Sequence, residues 1–239
     1  MNKHENYKKE WFEFMGYKPH SGQLKLHYPE KASAQFFVMV CGRRFGKTTA
    51  SAMEATYIAS QPNKKIWLVG LSYDKADLMF REVWQKMVVG RANDIERASE
   101  KERFIKFKWG TTIEGKSADN PDSLVGEGLD LLIIDEAAKV KKRIWDMYLS
   151  PTLSDRKGKA IFITTPEGYN WIYKIFLLGK SDPLWESHQA PSWNNQYAFP
   201  DGKKDQFLIE RKRNMSKELY EQEYAAKFTS FEGRVYSFD

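Results

Sequence analysis

The sequence carries a single cysteine, Cys41, among 239 residues, so no disulfide can form within the chain. It also lacks long apolar runs. Stretches such as Phe36 to Cys41 and Leu131 to Ile134 fall far short of the about 18 residues that a membrane-spanning helix requires. The opening MNKHENYKKEW is too charged to hold the apolar segment of a signal peptide. These deficits fit a reducing interior and exclude a spanning segment. No internal repeat or low-complexity tract is present, which makes one domain with peripheral additions the economical reading. One further absence is local. In VCGRRFGKTTA, Val40 to Ala50, the pattern G-x-x-x-x-G-K-[ST] ends as a phosphate-binding loop should, but Cys41 stands where its first glycine belongs.

What is present supports a sizeable core: 41% of residues are hydrophobic and 15% aromatic, enough for one large α/β domain. The 38 Lys and Arg against 32 Asp and Glu leave a net charge of +6, compatible with a phosphate-bearing partner without demanding one. Short apolar runs alternate with longer amphipathic segments, the arrangement of a mainly parallel sheet with helices on both faces. Buried strands are expected at Phe36 to Cys41, Lys65 to Leu71, Leu129 to Asp135 and Ala160 to Thr165. Helices are expected at Lys47 to Ser60, at Asp74 to Val89 with Asp74 as N-cap, and from about Tyr169 to Leu178. Arg103 to Trp109 and Thr111 to Lys116 read as a hairpin about Gly110 at the sheet edge. Gly179 to Gly202 is polar and dotted with proline, Lys203 to Phe228 is mostly helical, and Phe231 to Asp239 holds strand-like residues with nothing after them, as at a domain boundary.

A turn entering a helix from a strand presents unpaired N–H groups and a positive dipole end, and is therefore an anion site. Gly46 lets the backbone approach phosphates, Lys47 supplies charge to the outer ones, and the Thr48 hydroxyl is placed to ligate Mg²⁺. Thr49 completes the first turn. Gly42, one position after Cys41, supplies the backbone freedom of the missing glycine. Arg43 and Arg44 offer bidentate, permanently charged donors to a triphosphate, with a solvated position on the loop surface as the alternative for either one. The apolar run LDLLIIDE, Leu129 to Glu136, delivers Asp135 to the carboxyl end of a strand, beside the loop, as a metal ligand. Glu136 follows as the group that orients and deprotonates an attacking water, or as a cap of the next helix. Thr164 and Thr165 end another strand, where their hydroxyls would sense a γ-phosphate.

This combination resembles the ATPase domain of the large terminase subunit, the motor that packages DNA into capsids of tailed phages. CGRRFGKTT is similar to that family's arginine-bearing loop, and LDLLIIDEA to its acidic strand. SADNPDSLVG, Ser117 to Gly126, is similar to the run preceding that strand, and IFITTPEG, Ile161 to Gly168, to the coupling motif. PSWNN, Pro191 to Asn195, and YEQEY, Tyr220 to Tyr224, are similar to later features. Gly16 to Gln23, GYKPHSGQ, resembles the adenine-reading segment, which implies nucleotide contacts from Tyr17, Pro19 and Gln23.

The resemblance implies a P-loop NTPase of the RecA/ASCE type using ATP and Mg²⁺, with Glu136, Arg43 and Lys47 catalytic and Thr48 and Asp135 on the metal. It implies sequence-independent action on double-stranded DNA, a portal protein and a small terminase subunit as partners, and a homo-oligomeric ring on the procapsid in the host cytoplasm. Residues 1–230 would form the ATPase domain, ending in a helical, lid-like region. Residues 231–239 would begin the linker to an RNase H-like nuclease for which no carboxylates are assignable here. Val125 occupies the place where an arginine is expected before Gly126. The catalytic arginine would then be Arg43 in cis, or Arg81, Arg91, Arg97 or Arg103 from a neighbouring subunit. KVKKR, Lys139 to Arg143, with Lys203, Lys204 and Arg211 to Arg213, are candidate DNA-backbone contacts. A helicase-like or remodelling ATPase, and a nucleotide-gated scaffold with little hydrolysis, are the alternatives.

Overall fold

The computed structural model describes residues 3–126 and 128–230. The four apolar runs fold as strands: β1 (Phe36–Cys41), β2 (Lys65–Gly70), β6 (Leu131–Asp135) and β7 (Lys159–Thr164). With β3 (Ile95–Ser99), β4 (Phe104–Phe107), β5 (Thr112–Ser117) and β8 (Trp185–Ala190) they make one eight-stranded sheet, ordered β3-β4-β5-β2-β6-β7-β1-β8. Every pairing from β5 to β8 is parallel, and only β4 runs against its neighbours.

Side chains alternate across such a sheet, so each strand feeds two cores. Phe37, Met39, Cys41, Ile66, Leu68, Ile133 and Ile163 face one layer, and Val38, Val40, Val69, Leu132, Ile134 and Phe162 the other. Covering a strand on both faces demands a continuous apolar run, and that is why these four were legible. The first layer is α1 (Lys3–Phe14), α2 (Ser21–His27), α3 (Lys47–Ala59) and α4 (Tyr73–Trp84). The second holds α5 (Lys142–Ile144), a π turn at Trp145–Leu149, and α6 (Trp171–Ser181). Near the end of the chain, α7 (Gln206–Asn214) and α8 (Lys217–Glu223) close a small separate core of Phe199, Leu208, Tyr220 and Tyr224.

Several expectations need correction. The hairpin exists as β4 and β5, but β5 is interior and the edge belongs to β3. Ile95–Ser99, with sequence IERAS and half exposed, has no apolar signature. The stretch Gly179 to Gly202 contains the opposite edge strand, β8, whose sequence WESHQA buries only Glu186 and Ala190. The cap of α4 is Ser72, with Asp74 inside the first turn, and the α-helix passes at Gln85 into a π turn that ends at Val89. Phe231 to Asp239 lie outside the described residues.

A buried polar chain fastens the amino-terminal helices to α3. Lys8 Nζ donates to Glu54 (2.6 Å) and to the His27 carbonyl (2.7 Å), while the His27 ring lies 2.8 Å from Glu54 Oε2 and 3.0 Å from the Tyr17 hydroxyl. Burial pushes His27 below the ordinary imidazole range, against the pull of Glu54. Burial would raise Glu54, but the Lys8 ammonium and the His27 hydrogen bond outweigh it and hold the carboxyl at about 2. Both groups therefore bind fewer protons folded than unfolded, and stability is lost on acidification. The loss begins as pH falls below about 6.5, where unfolded His27 charges, and deepens below about 4.3, where unfolded Glu54 protonates. Urea unfolding between about pH 7 and pH 5 should show this slope, at most about 1.4 kcal/mol per pH unit from His27. The variant His27→Gln should lose most of it; an undiminished slope would contradict the assignment.

Candidate active site

Register sets the site. Val40 pairs with Thr164 and Asp135 with Ile163, so the carboxyl ends of β1, β7 and β6 finish nearly level. The loop leaving β1 enters α3 through Gly46, which has φ +90° and no side-chain cap. The first N–H groups of that helix therefore point outward without a capping side chain, as an anion site requires.

Cys41 is the last residue of β1 and fully buried, with its thiol pushed up to about 12 by burial. It belongs to the strand, not the turn. The left-handed residues of the turn are Arg44 (φ +60°) and Gly46, so Gly42 does not supply positive-φ freedom as expected. Gly42 is required for a different reason: a Cβ there would collide with Ser192 Oγ and sit 2.6 Å from the Tyr224 carbonyl.

Lys47 is buried, and its Nζ donates to the Cys41 and Gly42 carbonyls (2.9 and 3.2 Å) and to Thr165 Oγ1 (3.3 Å). Burial lowers its pKa, against the attraction of Cys41, Glu136 and Asp135. Thr48 Oγ1 donates to Asp135 Oδ2 at 3.1 Å. Burial and the neighbouring Glu136 both raise the Asp135 carboxyl. The site thus holds buried charge that a ligand of opposite charge would stabilise. Glu136 has a left-handed backbone (φ +49°), is partly exposed, and stands 3.7 Å from Lys139 Nζ. Thr164 Oγ1 donates to the Thr165 carbonyl (2.8 Å) and accepts from Ala138 N–H (3.2 Å), tying β7 to the segment after Glu136.

The donor set suits a hard divalent cation. Thr48 and Asp135 present two oxygens side by side, and no cluster of three His, Cys, Asp or Glu side chains able to hold a metal occurs among the described residues. Mg²⁺ commonly takes few protein ligands and completes its shell with phosphate and water. The adjoining cavity, about 370 Å³, is lined by Arg43 to Thr49, Glu136, Thr165, Phe207 and Tyr224. This brings together every loop residue singled out in the sequence except Gly42, which lies beneath.

The upstream segment divides. Gln23 reaches the loop: its Nε2 donates to the Gly46 carbonyl (2.9 Å) and its Oε1 accepts from His20 N–H (3.1 Å). Tyr17 and Pro19 instead line a neighbouring cavity of about 770 Å³ with Phe12, Leu24 and Tyr28.

The match to family models agrees with this geometry. Residues 38–239 fit the model of the amino-terminal part of the terminase large subunit, T4-like virus type. The large terminase subunit of Thermus virus P23-45 is 31% identical over 260 residues, covering 95% of this chain and 52% of that protein. The chain belongs to the large terminase subunit family. It spans about half the length of the curated relatives it matches. The large terminase ATPase domain of Thermus phage P74-26 superposes with a TM-score of 0.79 at 30% identity, covering 92% of this chain and 98% of that one. A large terminase of a thermophilic bacteriophage, solved in complex with ATP-γ-S, shares the fold at 16% identity, with a TM-score of 0.67 over 88% of this chain and 53% of that one.

Within this terminase chain, every candidate arginine except Arg44 pairs with a carboxylate among the described residues. Arg43 Nε pairs with Glu223 of α8, and the Arg43 N–H donates to the Glu223 carbonyl at 2.7 Å. The Arg44 carbonyl accepts from Asn195 Nδ2 (2.7 Å). Arg103 pairs with Asp77, Arg91 with Asp94, Arg97 with Glu102 and Arg81 with Glu100. Val125 is 69% exposed, on the surface. Sequence reasoning missed Phe207, Glu223 and Glu82. Glu82 accepts from Thr49 Oγ1 at 3.1 Å. Glu223 and Tyr224 lie inside YEQEY, which drew notice only as a family feature, and Glu82 carries no motif at all. Replacing Gly42 with alanine should cost about 1–3 kcal/mol by overpacking and should loosen the Tyr224 segment, measurable by chemical denaturation and by proteolysis near that segment.

Proposed function

We propose that this chain binds ATP with Mg²⁺ at the loop between β1 and α3, hydrolyses it, and drives double-stranded DNA into a viral procapsid. The 3.1 Å contact between Thr48 and Asp135, with Lys47 alongside, carries this reading. It joins the two halves of an NTP site across 87 residues of sequence.

In this proposal the outward N–H groups of α3 and the Lys47 ammonium hold the β- and γ-phosphates. The Mg²⁺, held by Thr48 and Asp135, would offset phosphate charge when bound. Glu136, outside the strand and less buried than Asp135, orients a water and takes its proton. The water oxygen bonds to the γ-phosphorus as the bond to the β–γ bridging oxygen breaks, giving ADP and phosphate. Arg43 leaves Glu223 to meet the charge that develops. Gln23 sets the base-proximal side of the loop, and any contact from Tyr17 and Pro19 would come from the other cavity that they line.

In this proposal Thr164 and Thr165 pass the state of the γ-phosphate to α6; the contacts of Thr165 with Lys47 and of Thr164 with the segment after Glu136 support that role. Portal protein, small terminase subunit and a homo-oligomeric ring at the procapsid in the host cytoplasm are the partners and place this role requires. Residues 1–230 would form the motor domain. DNA contacts would come from the basic surfaces at Lys139 to Arg143, at Lys203 and Lys204, and at Arg211 to Arg213.

Two experiments test the reading. Glu136→Gln should lower DNA-stimulated ATP hydrolysis by roughly a hundredfold or more while retaining ATP binding; equal rates in the variant and wild type would favour a nucleotide-gated scaffold. Replacing Thr164 and Thr165 with valine should leave hydrolysis measurable but abolish DNA packaging into procapsids; packaging at the wild-type rate would remove the coupling role.

A further inference from the structure

The first turn of α3 presents two consecutive hydroxyls, and each donates to an acid. Thr48 meets Asp135 from β6, and Thr49 meets Glu82 from α4, both at 3.1 Å. Glu82 is partly buried and forms no ion pair among the described residues. Lys86, one turn on, attracts Glu82 at a distance, but its ammonium is hydrogen-bonded to the Met15 carbonyl at 2.7 Å. The charge of Asp135 is close enough to act on Glu82 electrostatically. An anion kept partly out of water, beside a second anion and with no cation in contact, costs free energy that a cation arriving with the ligand would offset. A hydrogen bond to Thr49 alone would be served equally well by glutamine, which carries no such cost.

We propose that Glu82 is a positioning residue of the metal shell, its carboxylate accepting a hydrogen bond from a water bound to the Mg²⁺ that accompanies ATP. The inference rests on the Mg-ATP reading of the site. It adds a third acid, from a helix of the first layer, to Asp135 at the end of β6 and Glu136 directly after it. Carboxylates of this outer kind fix the orientation of metal-bound water and of the hydroxyl ligands beside it. Glu82 would also connect the metal to α4, and through Lys86 to the end of α1.

The test measures affinity for a fluorescent ATP analogue with Mg²⁺ and with EDTA, in the full chain and in the variants Glu82→Gln and Glu82→Ala. Glutamine retains the Thr49 contact, so Glu82→Gln should melt near the wild-type temperature, whereas Glu82→Ala should melt lower. In both variants the advantage that Mg²⁺ gives to binding should shrink roughly tenfold, with affinity in EDTA unchanged or improved. A wild-type Mg²⁺ advantage in Glu82→Gln would overturn the proposal and leave Glu82 as a tie between α3 and α4. Wild-type protein that binds the analogue equally with and without Mg²⁺ would overturn the Mg-ATP reading itself, and this inference with it.

Discussion

The site depends on one constraint: the parallel register that ends β1, β7 and β6 at nearly the same height. A shift of one residue in either pairing would turn Asp135 or Thr164 to the opposite face of the sheet. The register is held by the alternating apolar rows, since slipping a strand would carry Ile133 and Leu132, or Ile161 and Phe162, into the wrong core. The packing of two hydrophobic layers therefore fixes the 3.1 Å approach of Thr48 to Asp135.

That framework brings charges together without neutralising them. Lys47 is buried with its ammonium on carbonyls and a hydroxyl, and Asp135 is buried beside Glu136. Each charge is disfavoured by desolvation, in opposite directions: the lysine pKa falls and the aspartate pKa rises. A triphosphate carrying a divalent cation would offer anionic oxygens to the first and the positive charge of that cation to the second. The site is preorganised in the sense that its electrostatic cost is met in the fold before any ligand arrives.

The sequence made the centre of the fold legible and its margins obscure, for a physical reason. β1, β2, β6 and β7 are covered on both faces, so burial wrote continuous apolar runs into them, and the loop and acids at their ends followed. β3 and β8 are edges with a wet face, and their sequences IERAS and WESHQA satisfy pairing rather than burial. The glycine at position 42 was noticed, but the reason lay elsewhere, in the distant Ser192 and Tyr224 that press against it. Contacts of that kind leave no local pattern. Glu82 is the same case: on a helix surface its identity looks free until the fold sets it opposite Thr49.

The helices α7 and α8 reach the candidate site: Phe207 and Tyr224 line its cavity, and Glu223 holds the loop arginine. Arg43 is bound twice to Glu223, once through its side chain and once through its backbone, and the Tyr224 carbonyl accepts from Ser192 N–H at 2.8 Å beneath the loop. Farther along, Gln222 accepts from Gly168 N–H at 3.3 Å, and the Tyr169 hydroxyl donates to the Phe228 carbonyl at 3.1 Å. One short stretch of chain thus touches both the loop arginine and the segment after Thr165. Any ligand that draws Arg43 toward phosphate must compete with a carboxylate for a guanidinium, and the loser of that competition is attached to α8. If Arg43 meets phosphate as proposed, nucleotide state and the position of α8 would be linked through that exchange, because the same charge cannot satisfy both partners at full strength.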